Sequence, residues 1–146
     1  MIYTPMTLKA MRYAYQAHHG QLDRSNVPYI FHPYHLAEQM DDEISCTVAL
    51  LHDVVEDTPV TIKDLEKEFP QVVTEAVALL TYDGTGDYFD YVRNLKDNYY
   101  ARRVKTADLV HNSDETRVAH REITEEKLQE LRRKYKKAKA ILLDEE

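Results

Sequence analysis

The sequence has few of the features that mark several classes of protein. Its single cysteine, Cys46, excludes an intramolecular disulfide framework, so the expected location is the reducing cytoplasm. Its apolar runs are short, as in Ala76–Leu80, which argues against a membrane partner, and the N-terminus lacks the pattern of a signal peptide. Acidic residues outnumber basic ones by 26 to 19, and the net charge of −7 disfavours nucleic acid as a partner.

The composition predicts one folded domain over residues 1–146. A hydrophobic fraction of 43% in a chain of 146 residues is enough for a core of its own. Only three glycines and five prolines occur, and no low-complexity segment suggests a linker between domains.

Hydrophobic spacing predicts helices along most of the chain. Apolar positions from Leu8 to His18 recur every three or four residues, with Pro5 just inside the expected helix start. Pro33 occupies a typical first helical position, which puts His32 at the N-terminal edge of a second helix. Further helices are predicted near residues 61–69, 72–80, 88–96, 99–111 and 125–143, with a glycine-containing loop at 82–88.

The segment EISCTVALLHDVV, residues 43–55, is apolar on nearly every side and therefore predicts a central, buried helix. No segment shows the alternation of a half-buried strand. The predicted fold class is all-α.

This buried segment also carries charge. His52 and Asp53 lie inside it, and Glu56 and Asp57 follow four residues later, so that a continuous helix would align them in two adjacent columns. A buried carboxylate normally shifts its pKa, forms a pair or binds a metal. The pattern is therefore compatible with a metal or acid–base site.

A metal centre of this kind needs about four convergent protein ligands, more than His52 and Asp53 provide. The sequence offers His32 and Asp108 as further candidates. Each also has a purely structural explanation, since His32 can cap a helix and Asp108 can form a surface ion pair. The residues alone leave these alternatives open.

Three motifs in order resemble those of the HD-domain superfamily: GQLDRSNVPYIFHP, VALLHDVVEDT and VKTADLVHNSD. Within it, they are most similar to the hydrolase domain of Rel/Spo-type alarmone enzymes and to their small stand-alone relatives. The similarity extends from Ala14 to the final helix, and three ordered motifs are far more specific than a His-Asp dipeptide. The resemblance implies an HD-domain helical bundle.

The resemblance also implies roles for individual residues. Glu56 and Asp57 match an acidic pair assigned to water activation and proton transfer. The family's metal is usually manganese (Mn²⁺), and the matching ligand positions are His32, His52, Asp53 and Asp108. Positions near the substrate are matched by Arg24, Tyr29, Lys105 and Asn112.

The activity implied by the resemblance is metal-dependent hydrolysis of a small-molecule nucleotide. In this family the 3′-pyrophosphate is removed from guanosine tetra- or pentaphosphate (ppGpp or pppGpp). One alternative is an HD phosphohydrolase that acts on another nucleotide, and another is a catalytically silent nucleotide-binding protein. Retention of both Glu56 and Asp57 argues against the silent alternative.

Two departures from the hydrolase pattern concern substrate recognition. Where two basic residues commonly precede the PYI motif, this chain has Asp23 and Arg24, so that Arg24 alone remains to contact the guanine base. In the third motif, Leu109 and the pair Ser113–Asp114 replace arginines. The metal site and reaction type are therefore better supported than the substrate.

Other polar residues are expected to have structural roles. The six basic residues between Arg132 and Lys139 are expected to complement the dipole of the last helix on a solvated face. His18 is expected to be a hydrogen-bonded core histidine, and His111 and His120 are expected to face solvent. Packing is the expected role of the tyrosines that flank the glycine loop, with Tyr88 as the strongest candidate for a ligand contact.

Overall fold

The computed structural model describes residues 1–118 and 121–146. In these ranges the chain forms α-helices and no β-sheet; a lone bridge pairs Leu22 with Pro28. The predicted all-α class is confirmed. The elements are α1 (Pro5–Ala17), α2 (Phe31–Glu38), α3 (Glu43–Leu51), α4 (Val54–Asp57), α5 (Ile62–Glu66), α6 (Gln71–Leu80), α7 (Tyr88–Leu95), α8 (Tyr99–Asn112), a 3₁₀ turn (Glu115–Arg117) and α9 (Glu125–Leu142).

Helix starts follow the capping residues in the sequence. Thr4 and Thr7 form a reciprocal capping box before α1, where Pro5 is the first helical residue as predicted. Thr61 and Asp64 form the predicted capping box of α5. The start of α2 differs slightly, because Phe31 rather than Pro33 is its first helical residue.

Helix α3 is the centre of the fold. It packs against α1, α2, α6 and α8, and every side chain from Ser45 to Leu51 is buried. The predicted central helix is thus confirmed for residues 43–51. The last helix is less buried, since Ala138, Ile141 and Leu142 are covered and its N-terminal half remains accessible.

The predicted continuous helix over residues 43–55 is wrong in one respect, since it breaks at His52 and Asp53. The Nδ1–H of His52 donates to the carbonyl oxygen of Ala49 at 2.6 Å. That oxygen is the acceptor that a continuous helix would offer to the N–H of Asp53. The chain then turns and resumes as the short helix α4, which carries Glu56 and Asp57.

Within the described ranges, no helix combines the length and the apolar character needed to cross a bilayer.

The central position of α3 predicts a large effect of truncating its core side chains. Leu50 is 1% exposed, so we expect Leu50→Ala to lower the free energy of unfolding by about 2–5 kcal/mol through lost contacts and a residual cavity. Leu143 is 49% exposed, and Leu143→Ala is the matched control, with an expected change within about 0.5 kcal/mol. Urea unfolding followed by circular dichroism measures both; equal changes would contradict the assignment of α3 as the core helix.

Candidate active site

Four histidine and aspartate side chains from three segments of the chain meet in the wall of one cavity. His32 comes from the first turn of α2, His52 and Asp53 from the turn between α3 and α4, and Asp108 from α8. The Nε2 atom of His32 lies 2.9 Å from Oδ1 of Asp108 and 3.7 Å from Oδ2 of Asp53. The Nε2 atom of His52 lies 3.0 Å from Asp53 and 3.7 Å from Asp108. The structure thus brings together all four positions predicted as metal ligands.

The hydrogen bonds of this group fit a bound cation. Because Nδ1 of His52 donates to the carbonyl oxygen of Ala49, its Nε2 is free to act as a ligand. That buried Nε2 has no hydrogen-bond partner, although carboxylate oxygens of Asp53 and Asp108 face it. Two carboxylates facing this nitrogen favour a positive charge there, which a proton on Nε2 supplies and which a divalent cation can replace. The ligand atoms of His32, His52 and Asp53 all lie within 4.8 Å of one another, so this group can bind a metal ion.

Burial and charge act in opposite directions on the pKa values of this group. Burial lowers the pKa of His52, but Asp53 and Asp108 outweigh it and raise that pKa well above its ordinary value. Burial raises the pKa of Asp108, but the positive charge of Lys105, together with the neighbouring imidazoles of His32 and His52, holds it well below its usual range. Asp108 is therefore ionised at neutral pH, as a metal ligand requires.

Glu56 and Asp57 form an acidic pair beside this group, on the solvent side. Carboxylate oxygens of Asp53, Glu56 and Asp57 lie within 4.8 Å of one another. Loss of hydration in the cavity raises the pKa of both Glu56 and Asp57, and the negative charge of Asp53 adds to this effect. The backbone N–H of Tyr82 donates to Oε1 of Glu56 at 2.7 Å, which fixes this carboxylate and leaves its other oxygen available. Such a pair can accept and return a proton.

Three of the four residues predicted near the substrate line the same cavity. The hydroxyl of Tyr29 donates to Asp53 at 2.5 Å and lies 3.3 Å from Asp57. Lys105 donates to Oδ2 of Asp108 at 2.9 Å, and the side-chain amide of Asn112 donates to Oδ1 of Asp108 at 3.1 Å. These contacts show that each residue also orients a buried carboxylate.

Arg24 is the exception among these residues, since it is exposed and does not line the cavity. The two departures near it have structural roles. Asp23 accepts hydrogen bonds from the N–H groups of Ser25 and Val27, and Asp114 caps the 3₁₀ turn through the N–H of Thr116. Both acidic side chains therefore stabilise loops.

The cavity has a volume of about 220 Å³ and is walled by aromatic rings and two lysines. Tyr82, Tyr88 and Tyr91 line it and contact one another. Packing was the role predicted for Tyr82 and Tyr91, whereas Tyr88 was the strongest candidate for a ligand contact. Lys134 of α9 also lines it, whereas the sequence predicted a solvated face for this lysine. Amphipathic spacing could not reveal this, because it depends on how α9 packs against α7.

Of the three other histidines with predicted roles, His111 contacts the ligand group. His111 is partly buried rather than solvent-facing, which corrects the prediction; its Nδ1 lies 2.8 Å from Nδ1 of His32 and fixes the orientation of that ring. Burial is the main cause that lowers the pKa of His111 to about 4, so it is neutral and can accept this hydrogen bond. His18 is buried, as predicted, and bonds to Gln21 at 2.8 Å. His120 lies outside the described residues.

A model of the HD-domain family matches residues 10–82, which is half of the chain and includes three of the four predicted ligands. The chain belongs to the HD-domain family. The fourth ligand position, Asp108, and the lysine-bearing helix α9 lie beyond this match.

Individual relatives support this assignment. The chain is 45% identical over 78 residues to the bifunctional (p)ppGpp synthase/hydrolase SpoT of Escherichia coli K12. This match covers 48% of this chain and 11% of the relative. The chain is also 35% identical over 142 residues to a GTP pyrophosphokinase of Streptomyces coelicolor. That match covers 85% of this chain and 17% of the relative. The chain therefore spans less than a fifth of the length of these curated relatives.

A solved structure shows the same fold over nearly the whole chain. It is described as a metazoan ortholog of SpoT that hydrolyzes ppGpp and plays a role in starvation responses. It superposes with a TM-score of 0.79 at 24% identity and covers 99% of this chain and 95% of its own. The HD-domain helical bundle predicted from the motifs is confirmed.

The geometry of the ligand group predicts which substitutions remove a bound metal. We expect His32→Ala and Asp53→Ala each to abolish stoichiometric retention of a divalent metal, because each removes one of three closely spaced ligand atoms. Plasma mass spectrometry after dialysis measures metal per chain. His35→Ala is the matched control, since His35 lies on the exposed side of the same helix. Metal retained at wild-type level by both site variants would refute the ligand assignment.

Proposed function

We propose that this chain is a metal-dependent phosphohydrolase that converts guanosine 3′,5′-bis(diphosphate) and water to GDP and pyrophosphate. The observation that carries the proposal is the meeting of a buried His/Asp group, an accessible acidic pair and a lysine-lined wall in one cavity. Relatives of the chain in Escherichia coli and Streptomyces bear names for ppGpp and GTP chemistry, which supports a guanine nucleotide as the substrate. Nucleic acid is not among the proposed partners, given the net charge of −7.

The residues proposed to hold the metal are His32, His52, Asp53 and Asp108, and Mn²⁺ is the proposed ion. Mixed imidazole and carboxylate ligands suit a divalent ion of this type. When bound, such an ion neutralises charge on the attacked phosphoryl group and lowers the pKa of water. The Nε2 atom of His52, once it has released its proton, and the ionised carboxylate of Asp108 would supply ligand atoms.

Glu56 is proposed as the base that takes a proton from the attacking water. Its position is fixed by the N–H of Tyr82, and its raised pKa brings its affinity for a proton closer to that needed at neutral pH. A bond then forms between the water oxygen and the phosphorus attached to O3′ of the ribose, and the bond from that phosphorus to O3′ breaks. Asp57, with its own raised pKa, is placed to deliver the proton that O3′ must gain.

The substrate-facing roles proposed for Tyr29, Lys105 and Asn112 agree with their places in the cavity wall. The ammonium group of Lys105 keeps Asp108 ionised and adds positive charge beside the position of the phosphates. Arg24 is proposed to reach the base from outside the cavity, where its charge already acts on Tyr135. Cys46 is buried and unbridged, which supports the proposal of a reducing, cytoplasmic setting.

A different nucleotide is a second candidate substrate. The structural roles of Asp23 and Asp114 favour this second candidate. Both side chains stabilise loops at positions where the hydrolase pattern has basic residues that contact the substrate. The catalytic groups would be the same in both cases. Substrate choice is therefore the property that an assay must decide.

The assay compares guanosine tetraphosphate with a panel of common nucleoside mono- and triphosphates, using purified protein with manganese and a chelated control. We expect metal-dependent release of pyrophosphate and GDP from the tetraphosphate, because the cavity combines a divalent-ion site with proton-transfer groups. Turnover of other nucleotides alone would change the proposed substrate but leave the proposed metal-dependent hydrolysis in place. No turnover by metal-loaded protein would favour a nucleotide-binding protein without catalysis.

Glu56→Gln separates proton transfer from metal binding. The amide keeps the shape of the side chain and cannot accept the proton, so we expect turnover to fall about 100-fold or more. Metal content is expected to be unchanged, since Glu56 is not one of the four proposed ligands. Glu66→Gln is the control, because Glu66 is exposed on α5 away from the cavity. Wild-type turnover in Glu56→Gln would remove this residue from the mechanism.

A further inference from the structure

Lys134 occupies a position that the hydrolytic chemistry does not explain. It lies midway along α9, outside the residues that match the HD-domain family model, and its side chain is half-buried in the cavity wall. Its ammonium nitrogen lies 4.3 Å from the centroid of the Tyr88 ring. The aromatic face holds the ammonium group at the cavity and leaves its N–H bonds for another partner.

No carboxylate in residues 1–118 or 121–146 lies within ion-pair distance of Lys134. On the same helix, Lys127 pairs with Glu130 at 3.5 Å and Arg132 pairs with Glu115, whereas Lys136 and Lys137, which also lack an ion pair in those ranges, are exposed to solvent. Burial, and then the positive charges of Lys105 and Lys127, lower the pKa of Lys134. The negative charge of Glu130 opposes this shift from beyond ion-pair distance, so Lys134 is partly desolvated without the direct pairing that buried charges normally have.

The second lysine of the cavity, Lys105, already forms an ion pair. Its ammonium nitrogen is 2.9 Å from Asp108 and 5.7 Å from the centroid of the Tyr88 ring. The same ring is thus in contact with both ammonium groups, of which one is paired and one is not. The cavity therefore contains one lysine that is paired with Asp108 and a second, Lys134, that has no directly paired carboxylate in the described residues.

We propose that Lys134 is a specificity-determining residue that binds a phosphate group of the ligand other than the one that is attacked. The ligand class is a polyphosphate or a nucleotide with more than one phosphate group. A volume of about 220 Å³ admits phosphate groups and excludes a folded polymer. The inference rests on the proposed function only in placing a phosphate ligand in this cavity.

The test measures binding of inorganic pyrophosphate to manganese-loaded protein by isothermal titration calorimetry, without any need for turnover. Lys134→Met and Lys134→Gln both remove the charge and keep most of the side chain, so that a folding defect in one does not decide the result. We expect each to weaken pyrophosphate binding about tenfold or more, since a hydrogen bond between charged groups is lost. Lys134→Arg retains the charge and is expected to bind within about threefold of wild type.

Lys137→Met is the matched control. Lys137 lies one turn later on α9 and 4.3 Å from the Phe89 ring, but it does not line the cavity. Its removal is expected to leave pyrophosphate affinity unchanged. Equal affinities of the Lys134→Met and Lys137→Met proteins, or absence of saturable pyrophosphate binding by the wild type, would overturn the proposal. Failure to hydrolyse guanosine tetraphosphate would instead count against the proposed function, because this binding measurement does not depend on turnover.

Discussion

The burial of Asp108 is the constraint on which the candidate site depends. A carboxylate that is 5% exposed must be compensated, and three side chains from two helices supply the compensation. His32 of α2 and Asn112 of α8 bond to Oδ1, and Lys105 bonds to Oδ2. Removal of any one partner leaves charge uncompensated in the interior. The packing of α2 and α3 on α8 is therefore tied to the same contacts that hold the ligand atoms together.

Local sequence signals predicted most of the helices because their causes are local. Capping at Thr4 and Thr61 and the apolar composition of residues 43–51 act within one or two turns of chain. The break at His52 has a different cause, a side-chain bond to the carbonyl oxygen of Ala49, which periodicity does not encode. At this break Asp53 lies beside the imidazoles of His32 and His52, so the break affects the candidate site directly.

The candidate site likewise contains residues that the sequence could predict and residues that it could not. Its histidines and aspartates could be predicted because they belong to ordered motifs, and the structure places them together; their functions remain predictions. The partners of those residues could not be predicted, since they depend on tertiary contacts. His111 stacks on His32 from 79 positions away in the chain, and Lys134 reaches the cavity only because α9 packs along α7. Charge patterning within one helix could not distinguish Lys134 from its solvated neighbours.

The hydrogen bond from the backbone of Tyr82 to Glu56 links chemistry to the glycine loop. Its acceptor is the carboxylate proposed as the base, and its donor is a peptide group next to a segment where Gly84 and Gly86 adopt positive φ angles of 82° and 73°. A residue with a side chain at either glycine would strain that conformation and shift the donor. The proton affinity of Glu56 would change with it, although the substituted side chain would never touch the ligand. The choice of residues in this loop is therefore limited by the proton affinity required of Glu56 as well as by the backbone conformation.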